Sequence, residues 1–156
     1  MRLRSANESD LLEIFRWRND PVAVANSLSR KPVSLTEHSE WFSRCLAAPD
    51  DLMLIGELVV DGGTLKAGVC RLTHRGSGDY LLSINIDPGL RGRGIGRTLL
   101  EESLKHFFEE TDGPGQVHAQ VLEANVFSHR LFAGQGFRIG STDGEVVNYV
   151  LDWRPK

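Results

Sequence analysis

The sequence predicts a mixed α/β (α+β) domain in which helices flank a central, mostly antiparallel sheet of about seven strands. Three β-rich runs follow one another between residues 52 and 86 and are separated by glycine-containing turns, the pattern of an antiparallel meander. Apolar residues recur at helical spacing before and after this meander. The 156 residues are 40% hydrophobic and 25% charged, so we expect a single domain over residues 1–156. The predicted element order is βααβββαβαββ, with four helices.

The first third of the chain predicts one short strand and two helices. Residues 2–6 fit a strand, and Asn7 or Ser9 can cap the helix that follows. Asp20-Pro21 is expected to end this helix, and Thr36 is the expected N-cap of the second one. The apolar positions of the two helices are Leu11, Leu12, Ile14, Phe15 and Trp17, then Trp41, Phe42, Cys45 and Leu46.

The remainder of the chain predicts the other six strands and two more helices. The strands are expected at residues 52–60, 65–73, 80–86, 117–122, 138–141 and 145–152. A long helix follows a second glycine-rich turn and stops at Asp112-Gly113, and a shorter helix covers residues 126–133. The apolar face of the long helix comprises Ile95, Leu99, Leu100, Leu104, Phe107 and Phe108.

Composition limits the kinds of partner. The formal net charge is -3, so we expect no nucleic-acid partner. The start of the chain lacks an apolar signal core and no run approaches 18 apolar residues, which favours a cytoplasmic protein with no membrane partner. Cys45 and Cys70 are expected to be buried free thiols. The five histidines lack metal-site spacing, so no metal is predicted. The sequence leaves open whether the chain forms a homodimer.

The most informative segment is the glycine-rich turn that precedes the long helix. It reads Ile86-Asp87-Pro88-Gly89-Leu90-Arg91-Gly92-Arg93-Gly94-Ile95-Gly96-Arg97. The glycines let the backbone approach a ligand closely, and a helix N-terminus offers free N–H groups and a partial positive charge. The three arginines add fixed positive charge. The turn therefore predicts a binding site for a phosphate group.

The spacing of this turn narrows the choice of phosphate ligand. The dinucleotide pattern GxGxxG fails, because position 97 is arginine, and the nucleotide-triphosphate loop has no match in the chain. What remains is Arg91-x-x-Gly94-x-Gly96 after an extended segment. This resembles the pyrophosphate-binding motif Q/R-x-x-G-x-G/A of the GNAT N-acetyltransferases, which bind acetyl-CoA. The alternative is an ordinary glycine-rich turn.

A second block strengthens the resemblance. The run from Asn125 to Phe137 is similar to the later motif of that family, Asn-x-x-Ala/Ser-x-x-Leu-Tyr-x-x-x-Gly-Phe. Its matching residues are Asn125, Ser128, Leu131, Gly136 and Phe137. The tyrosine position is occupied by Phe132. The alternative is an ordinary helix capped by Asn125.

The resemblance, which covers nearly the whole chain, implies a cofactor site for acetyl-CoA. In this fold the fourth and fifth strands splay apart, and the pantetheine arm lies in the gap along Ser83 to Ile86. The implied cofactor-binding residues are Ile84, Asn85, Ile86, Arg91, Gly92, Arg93, Gly94, Ile95, Gly96, Arg97, Asn125, Ser128 and Phe132. A backbone N–H at or just after Ile84 would polarise the thioester carbonyl.

Acetyl transfer to an amine needs a neutral amine, a donor for the developing oxyanion and a proton source for the thiolate. The tyrosine that usually donates this proton is replaced by Phe132, and a glutamate common in the family is replaced by Gln120. Nearby substitutes are His118, Glu123, Ser128 and His129. His118 is the leading candidate base, with a surface histidine as the alternative, and Ser128 could donate to the CoA sulfur.

The first two helices are expected to select the acceptor. The segments Trp17-Arg18-Asn19-Asp20 and Glu37-His38-x-x-Trp41-Phe42 resemble acetyltransferases that modify amino sugars of flagellin-type and other surface glycans. An amino sugar, free or nucleotide-linked, is therefore the leading small-molecule acceptor. Trp41 and Phe42 fit core positions better than sugar contacts. The predicted acceptor residues are Arg18, Asn19, Asn26 and Gln120.

Two other functions stay open at this stage. One keeps the chemistry and replaces the sugar by a protein N-terminus or a small amine. The other is a CoA-binding module without catalysis, which the residues at positions 120 and 132 suggest.

Overall fold

The computed structural model describes residues 1–154, which form one seven-stranded sheet with helices on both faces. The strand order is β1-β2-β3-β4-β5-β7-β6. All neighbouring strands are antiparallel except β4 and β5, which are parallel. The strands are β1 Arg2–Ser5, β2 Leu52–Val60, β3 Gly63–Gly76, β4 Asp79–Ile86, β5 Gly115–Leu122, β6 Arg138–Asp143 and β7 Val146–Trp153. The predicted mixed sheet is confirmed.

The structure has one α-helix more than the four predicted. The helices are α1 Leu11–Arg18, α2 Pro21–Ala25, α3 Leu35–Ala47, α4 Ile95–Glu110 and α5 Val126–Gly134. Pro21 does end α1, but it also begins α2, because proline is favoured at the first helical position and Asp20 accepts from the N–H groups of Val22 and Ala23. The expected cap Thr36 is wrong, since Ser34 caps α3 by accepting from Glu37 N–H. Asn7 caps a short 3₁₀ turn, Glu8–Asp10, rather than α1 as expected, and α1 begins after Asp10 without a side-chain cap.

The sheet separates two apolar cores. On one face α4 and α5 cover the larger core, which includes Leu99 and Leu100 of α4 and Phe132 of α5. On the other face α1 and α3 cover a smaller cluster around Trp17 and Phe42. Cys45 and Cys70 are buried free thiols, as expected. No helix within residues 1–154 is both long and apolar enough to cross a membrane.

A charged cluster lies where β1 meets β2 and the 3₁₀ turn. Asp10 is fully buried and accepts two hydrogen bonds from the Arg4 guanidinium, each 2.8 Å long. Lys66 Nζ lies 2.8 Å from the same carboxylate. Arg4 also donates to Glu57, 2.7 Å away. Burial alone would raise the pKa of Asp10, but the bonds from Arg4 and Lys66 outweigh it and hold that pKa far below its ordinary value.

Strands β4 and β5 pair over only three residues and then diverge. The pairs are Asp79 with Gln116, Tyr80 with Val117 and Leu81 with His118. Beyond Leu81 the β5-facing side of β4 has no strand partner, so a wedge-shaped gap opens toward the end of β4. The gap confirms the expected splay and sets the position of the site.

Candidate active site

The glycine-rich turn forms a cradle at the wide end of the gap. Gly92 and Gly94 have φ angles of 76° and 75°, a left-handed conformation that side chains rarely adopt. Thr98 N–H donates to the Gly94 carbonyl at 3.2 Å, so the N–H groups of the three preceding residues have no acceptor within the helix. These groups and the positive end of α4 can hold a phosphate group.

Gly96 has a different role from the two glycines before it. A Cβ at this position would lie 3.4 Å from Phe127 and 3.5 Å from Ile86. Gly96 is therefore buried between the end of β4 and the start of α5. Because glycine has no side chain, the end of β4 and the start of α5 can lie close to each other on either side of Gly96.

The three arginines of the turn have different surroundings. Arg93 and Arg97 are exposed, and neither forms an ion pair within residues 1–154. Arg91 is half-buried, and its Nη1 lies 2.7 Å from Asp20 Oδ2. Arg93 and Arg97 are therefore open to a ligand, while Arg91 already has a carboxylate partner.

The second border of the gap is the start of α5. The Asn125 amide accepts from Ser128 N–H at 3.2 Å and donates to Ser128 Oγ at 2.9 Å. The Ser128 hydroxyl proton stays available to a ligand. Phe132 is buried against Phe137 and Tyr149, with ring centroids 5.1 and 6.0 Å away. Its position is therefore one of packing, and it offers no proton.

His129 of α5 shares a hydrogen bond with Tyr149 of β7, on which the helix packs. His129 Nε2 is 3.1 Å from the Leu122 carbonyl and 3.0 Å from that of Glu123, so this nitrogen carries the proton. Nδ1 then accepts from the Tyr149 hydroxyl, 2.7 Å away. These bonds brace α5 against β5 and β7. Sequence reasoning missed Tyr149, which only its strand alternation could have placed on this face.

His118 and Gln120 share one face of β5, as their alternation predicted, and this face lies opposite the core that α5 covers. The strand register places them on the same face as Ser83 and Asn85 of β4. Gln120 is exposed beside the gap. His118 is half-buried at the narrow end of the gap, and its Nε2 lies 3.8 Å from Asp79 Oδ2. An acceptor on this face would meet both side chains.

The predicted acceptor residues of the first helices are mostly engaged with the α2–α3 loop, residues 26–34. Arg18 donates to the Lys31 carbonyl at 3.2 Å, and burial lowers its pKa. The side-chain amide of Asn19 makes two hydrogen bonds with Val33. It accepts from the Val33 N–H and donates to the Val33 carbonyl, both at 2.8 Å. Asn26 is exposed at the end of α2. The loop is thus anchored by Arg18 and Asn19, and Asn26 stays open to a ligand.

The same loop reaches across to the far end of the sheet. Arg30 Nη2 lies 2.5 Å from Glu145 Oε2 in the turn between β6 and β7. A cavity of about 310 Å³ lies beside this ion pair, lined also by Glu123 and Ala124. The loop therefore bridges the end of β5 next to the gap.

The aromatic residues of α1 and α3 belong to the packing of these helices. Trp17 is fully buried, and its Nε1 donates to Asp87 at 2.8 Å. His38 is buried and bonds to the Leu11 carbonyl, and burial lowers its pKa. The Trp41 ring lies 5.0 Å from the Arg71 guanidinium. Phe42 is a core residue, as expected.

A cradle of free amides at a helix N-terminus, next to a gap where two parallel strands diverge, is the geometry of a domain that can bind a phosphate-bearing ligand with an extended arm. The family model of the acetyltransferase (GNAT) domain matches residues 1–138. The chain belongs to this family of acyltransferase domains, whose acetyl donor is acetyl-CoA. The residues around the cradle fit such a ligand, because the first amides of α4 have no acceptor within the helix, and the exposed Arg93 and Arg97 form no ion pair within residues 1–154.

Curated relatives match the chain at lower coverage. An uncharacterized protein of Mycobacterium leprae is 38% identical over 88 residues, which are 55% of this chain and 23% of that protein. An uncharacterized protein of Methanocaldococcus jannaschii is 25% identical over 138 residues, which are 87% of this chain and 28% of that protein. The chain thus spans about a quarter of the length of the curated relatives it matches.

Solved structures share the whole fold at low sequence identity. A domain from Methanocaldococcus jannaschii superposes with a TM-score of 0.85 at 22% identity, covering 97% of both chains. The spermidine N-acetyltransferase of Vibrio cholerae, in complex with CoA and spermine, has a TM-score of 0.79 at 19% identity and covers 97% of this chain and 94% of its own. The ribosomal-protein-alanine N-acetyltransferase of Brucella melitensis has a TM-score of 0.75 at 22% identity, covering 98% and 100%.

Proposed function

We propose that the chain is an acetyl-CoA-dependent N-acetyltransferase that acts on the primary amine of a small molecule, with an amino sugar or nucleotide-linked amino sugar as the leading acceptor. The observation that carries the proposal is the cradle of free amides at the start of α4, beside the gap between β4 and β5. Family membership supports the donor.

The cradle and the gap have separate tasks in this proposal. The amides of Gly92 to Arg97, with Arg93 and Arg97, hold the pyrophosphate. Backbone groups of residues 84–86 on the open side of β4 pair with the pantetheine arm, and Asn125 and Phe132 pack the α5 border of the gap. Acetyl-CoA supplies an acetyl group activated as a thioester. The N–H at or just after Ile84 stabilises the oxyanion that develops on the carbonyl.

The reaction also needs two proton transfers. His118 is the proposed general base, because it lies on the acceptor side of the sheet beside the narrow end of the gap. The Asp79 carboxylate lies 3.8 Å from its Nε2, on the same face of the sheet. Ser128 has a hydroxyl proton that its bond with Asn125 leaves free for the leaving sulfur. Positioning of the amine against the thioester is expected to supply most of the rate enhancement.

The acceptor side favours a polar ligand that combines hydroxyl groups with an anionic group. Ser83, Asn85 and Gln120 offer amide and hydroxyl groups on the open face, which suit sugar hydroxyls. Arg18 is partly buried, its Nη1 has no hydrogen-bond partner, and it forms no ion pair with a carboxylate of residues 1–154. The phosphates of a nucleotide-linked sugar could supply the missing negative charge. Asn26 at the edge of the loop completes the proposed acceptor contacts.

The first test is thermal unfolding with and without acetyl-CoA, with NAD and ATP as controls. Ligand at about 100 times its dissociation constant stabilises the native state by about 2.7 kcal/mol, a shift of several degrees. A panel of nucleotide-linked amino sugars, spermidine and a peptide with N-terminal alanine then identifies the acceptor through thiol release. Absence of a shift with acetyl-CoA would remove the proposal.

A CoA-binding module without catalysis is the second candidate, and the residues at two positions favour it. Phe132 and Gln120 occupy the places of the usual proton donor and base. This candidate predicts normal binding of acetyl-CoA and no turnover with any amine. The variant His118→Gln distinguishes the enzyme from the binding module. If His118 is the general base, the variant loses kcat and its pH profile loses the acid limb, and neither change is expected of a module without catalysis. Phe132→Tyr that binds acetyl-CoA and gains no activity would support the binding module.

A further inference from the structure

Two carboxylates tie the glycine-rich turn to the helices on the acceptor side. Asp87, which precedes the turn, accepts from Trp17 Nε1 at 2.8 Å and from Arg16 Nη2 at 2.5 Å. Asp20, at the start of α2, accepts from Arg91 Nη1 at 2.7 Å. All three contacts span 70 or 71 residues of sequence. The glycine-rich turn on the acetyl-CoA side and the helices α1 and α2 on the acceptor side are therefore linked directly through these two carboxylates.

The second link leads into the acceptor segment. The same Asp20 oxygen that binds Arg91 also accepts from the N–H groups of Val22 and Ala23, both at 3.1 Å. Asp20 is thus both the N-cap of α2 and the partner of the turn. The chain then continues through α2 into residues 26–34, which bridge to Glu145 through Arg30. A displacement of Arg91 would therefore move Asp20 and, through it, α2 and residues 26–34.

The charges around Arg91 favour its carboxylate partner over a phosphate. Burial raises the pKa of Asp20, but the bonds from Arg91 and Ala23 N–H outweigh it, so the pKa lies below its ordinary value and the carboxylate stays charged. Moving Arg91 to the ligand would leave this half-buried charge without its cation, which is costly. Arg93 and Arg97 are exposed and can serve the phosphates without such a loss.

We propose that Arg91 is a positioning residue that binds Asp20 rather than the phosphates of acetyl-CoA. When acetyl-CoA binds and holds the glycine-rich turn in place, the bond from Arg91 to Asp20 also holds α2 and residues 26–34 in place. The inference rests on the proposed function. It implies an ordered reaction in which donor binding fixes the acceptor segment before the acceptor enters. The free chain would then hold its acceptor side more loosely than the donor complex.

The test is amide hydrogen exchange with and without acetyl-CoA in the wild type, Asp20→Asn, Arg91→Gln and the double variant. Asparagine caps helices about as well as aspartate, so Asp20→Asn removes the charge and keeps the cap. In the wild type acetyl-CoA should slow exchange at residues 92–98 and also at residues 22–26. In each variant the protection of 92–98 should remain, while that of 22–26 is lost.

Affinity for acetyl-CoA provides the second readout. Arg97→Gln removes a proposed phosphate contact and should weaken binding about tenfold, whereas Arg91→Gln should weaken it less than about threefold. Equal losses in the two variants would overturn the inference, as would protection of 22–26 that survives Asp20→Asn and Arg91→Gln. If acetyl-CoA protected neither segment, the proposed function would fail and the inference with it. Protection of 92–98 alone in the wild type would overturn the inference and leave the proposed function standing.

Discussion

The two faces of the sheet are held by different kinds of interaction. The face under α4 and α5 buries one large apolar core that runs from β3 to β7. The face under α1 and α3 has a smaller apolar cluster, and charged contacts join its borders to the rest of the chain. These contacts are Arg4 with Asp10, Arg16 with Asp87 and Arg91 with Asp20.

This difference matches the two tasks of the site. Apolar packing is dense and insensitive to pH, so the α4–α5 face can keep the phosphate cradle in one geometry. Ion pairs respond to salt, pH and competing charges, so the α1–α3 face can change when a ligand binds. We therefore expect substitutions on the first face to change stability, and substitutions on the second to change pH and ligand responses as well.

The largest expected effect is on the apolar face. Leu99 of α4 is 0% exposed, and its methyl groups pack tightly on β2 and β3, 2.8 Å and 3.0 Å from where Cβ atoms at Gly56 and Gly68 would be. Leu99→Ala should lower the free energy of unfolding by about 3–4 kcal/mol, because the cavity cannot close fully. Urea unfolding followed by circular dichroism measures it. Thr98→Ala, at the exposed neighbouring position, is the control, and a loss below about 1 kcal/mol at Leu99 would contradict the packing described.

The matching substitution on the charged face is Asp10→Asn. It leaves Arg4 and Lys66 without their carboxylate and should cost about 2–3 kcal/mol, less than a fully buried pair, because both cations are partly solvated. The same urea titration measures the loss. A variant as stable as the wild type would mean that the charged cluster contributes little to the fold.

The pH dependence distinguishes the two faces further. The pKa of Asp10 is lowered in the folded chain, so its contribution is present above its unfolded pKa of about 3.9 and is lost as pH falls toward the folded value. The wild type should therefore lose stability below about pH 4 more steeply than Asp10→Asn, whereas Leu99→Ala should keep the wild-type slope. Parallel curves for the wild type and Asp10→Asn would contradict this.

A smaller effect is expected at the cradle. Gly94 has a φ of 75°, and no atom lies within 4 Å of a Cβ placed there, so Gly94→Ala tests the backbone conformation alone. It should cost about 1–2 kcal/mol of stability and weaken acetyl-CoA binding. Gly134→Ala is the matched control, because that glycine is helical, equally open and lacks a positive φ, and alanine should stabilise it by about 0.5–1 kcal/mol. Thermal unfolding with and without acetyl-CoA measures both.

The smallest change in stability is expected at the bridge of the α2–α3 loop. Arg30 and Glu145 are both more than half exposed, so Arg30→Gln should alter the free energy of unfolding by less than about 0.5 kcal/mol. Hydrogen exchange in residues 26–34 should nevertheless become faster. Unchanged exchange would mean that Asn19 and Arg18 alone hold the loop.

The sequence predicted the strands well, because apolar runs of the meander are interrupted only at glycine turns. Strand β2 has the predicted bounds, 52–60, and the gap lies where expected. Helix α2 was missed, because the five residues Pro21–Ala25 carry no apolar period and proline was taken as a stop. Ser34 and Thr36 are both good caps, and only the three-dimensional path of the chain decides between them.

The site was predictable where it depends on local backbone and not where it depends on distant partners. The glycines and the start of α4 follow from one segment. The ion pair of Arg91 with Asp20 and the clamp of Asn19 on Val33 join residues that no local pattern connects. The roles assigned to His118 and Ser128 stay predictions.

At the narrow end of the gap between β4 and β5, Gly78 and Gly115 are in direct backbone contact. A Cβ at Gly115 would collide with the carbonyl oxygen of Gly78, so the two backbones meet with no side chain between them. This contact lies directly before the three pairs that join β4 to β5. The sheet is in effect two smaller sheets that share one short seam. Any side chain at position 115 would push the seam apart and tilt the two halves, so the width of the channel for the acyl arm depends on a residue far from every ligand contact.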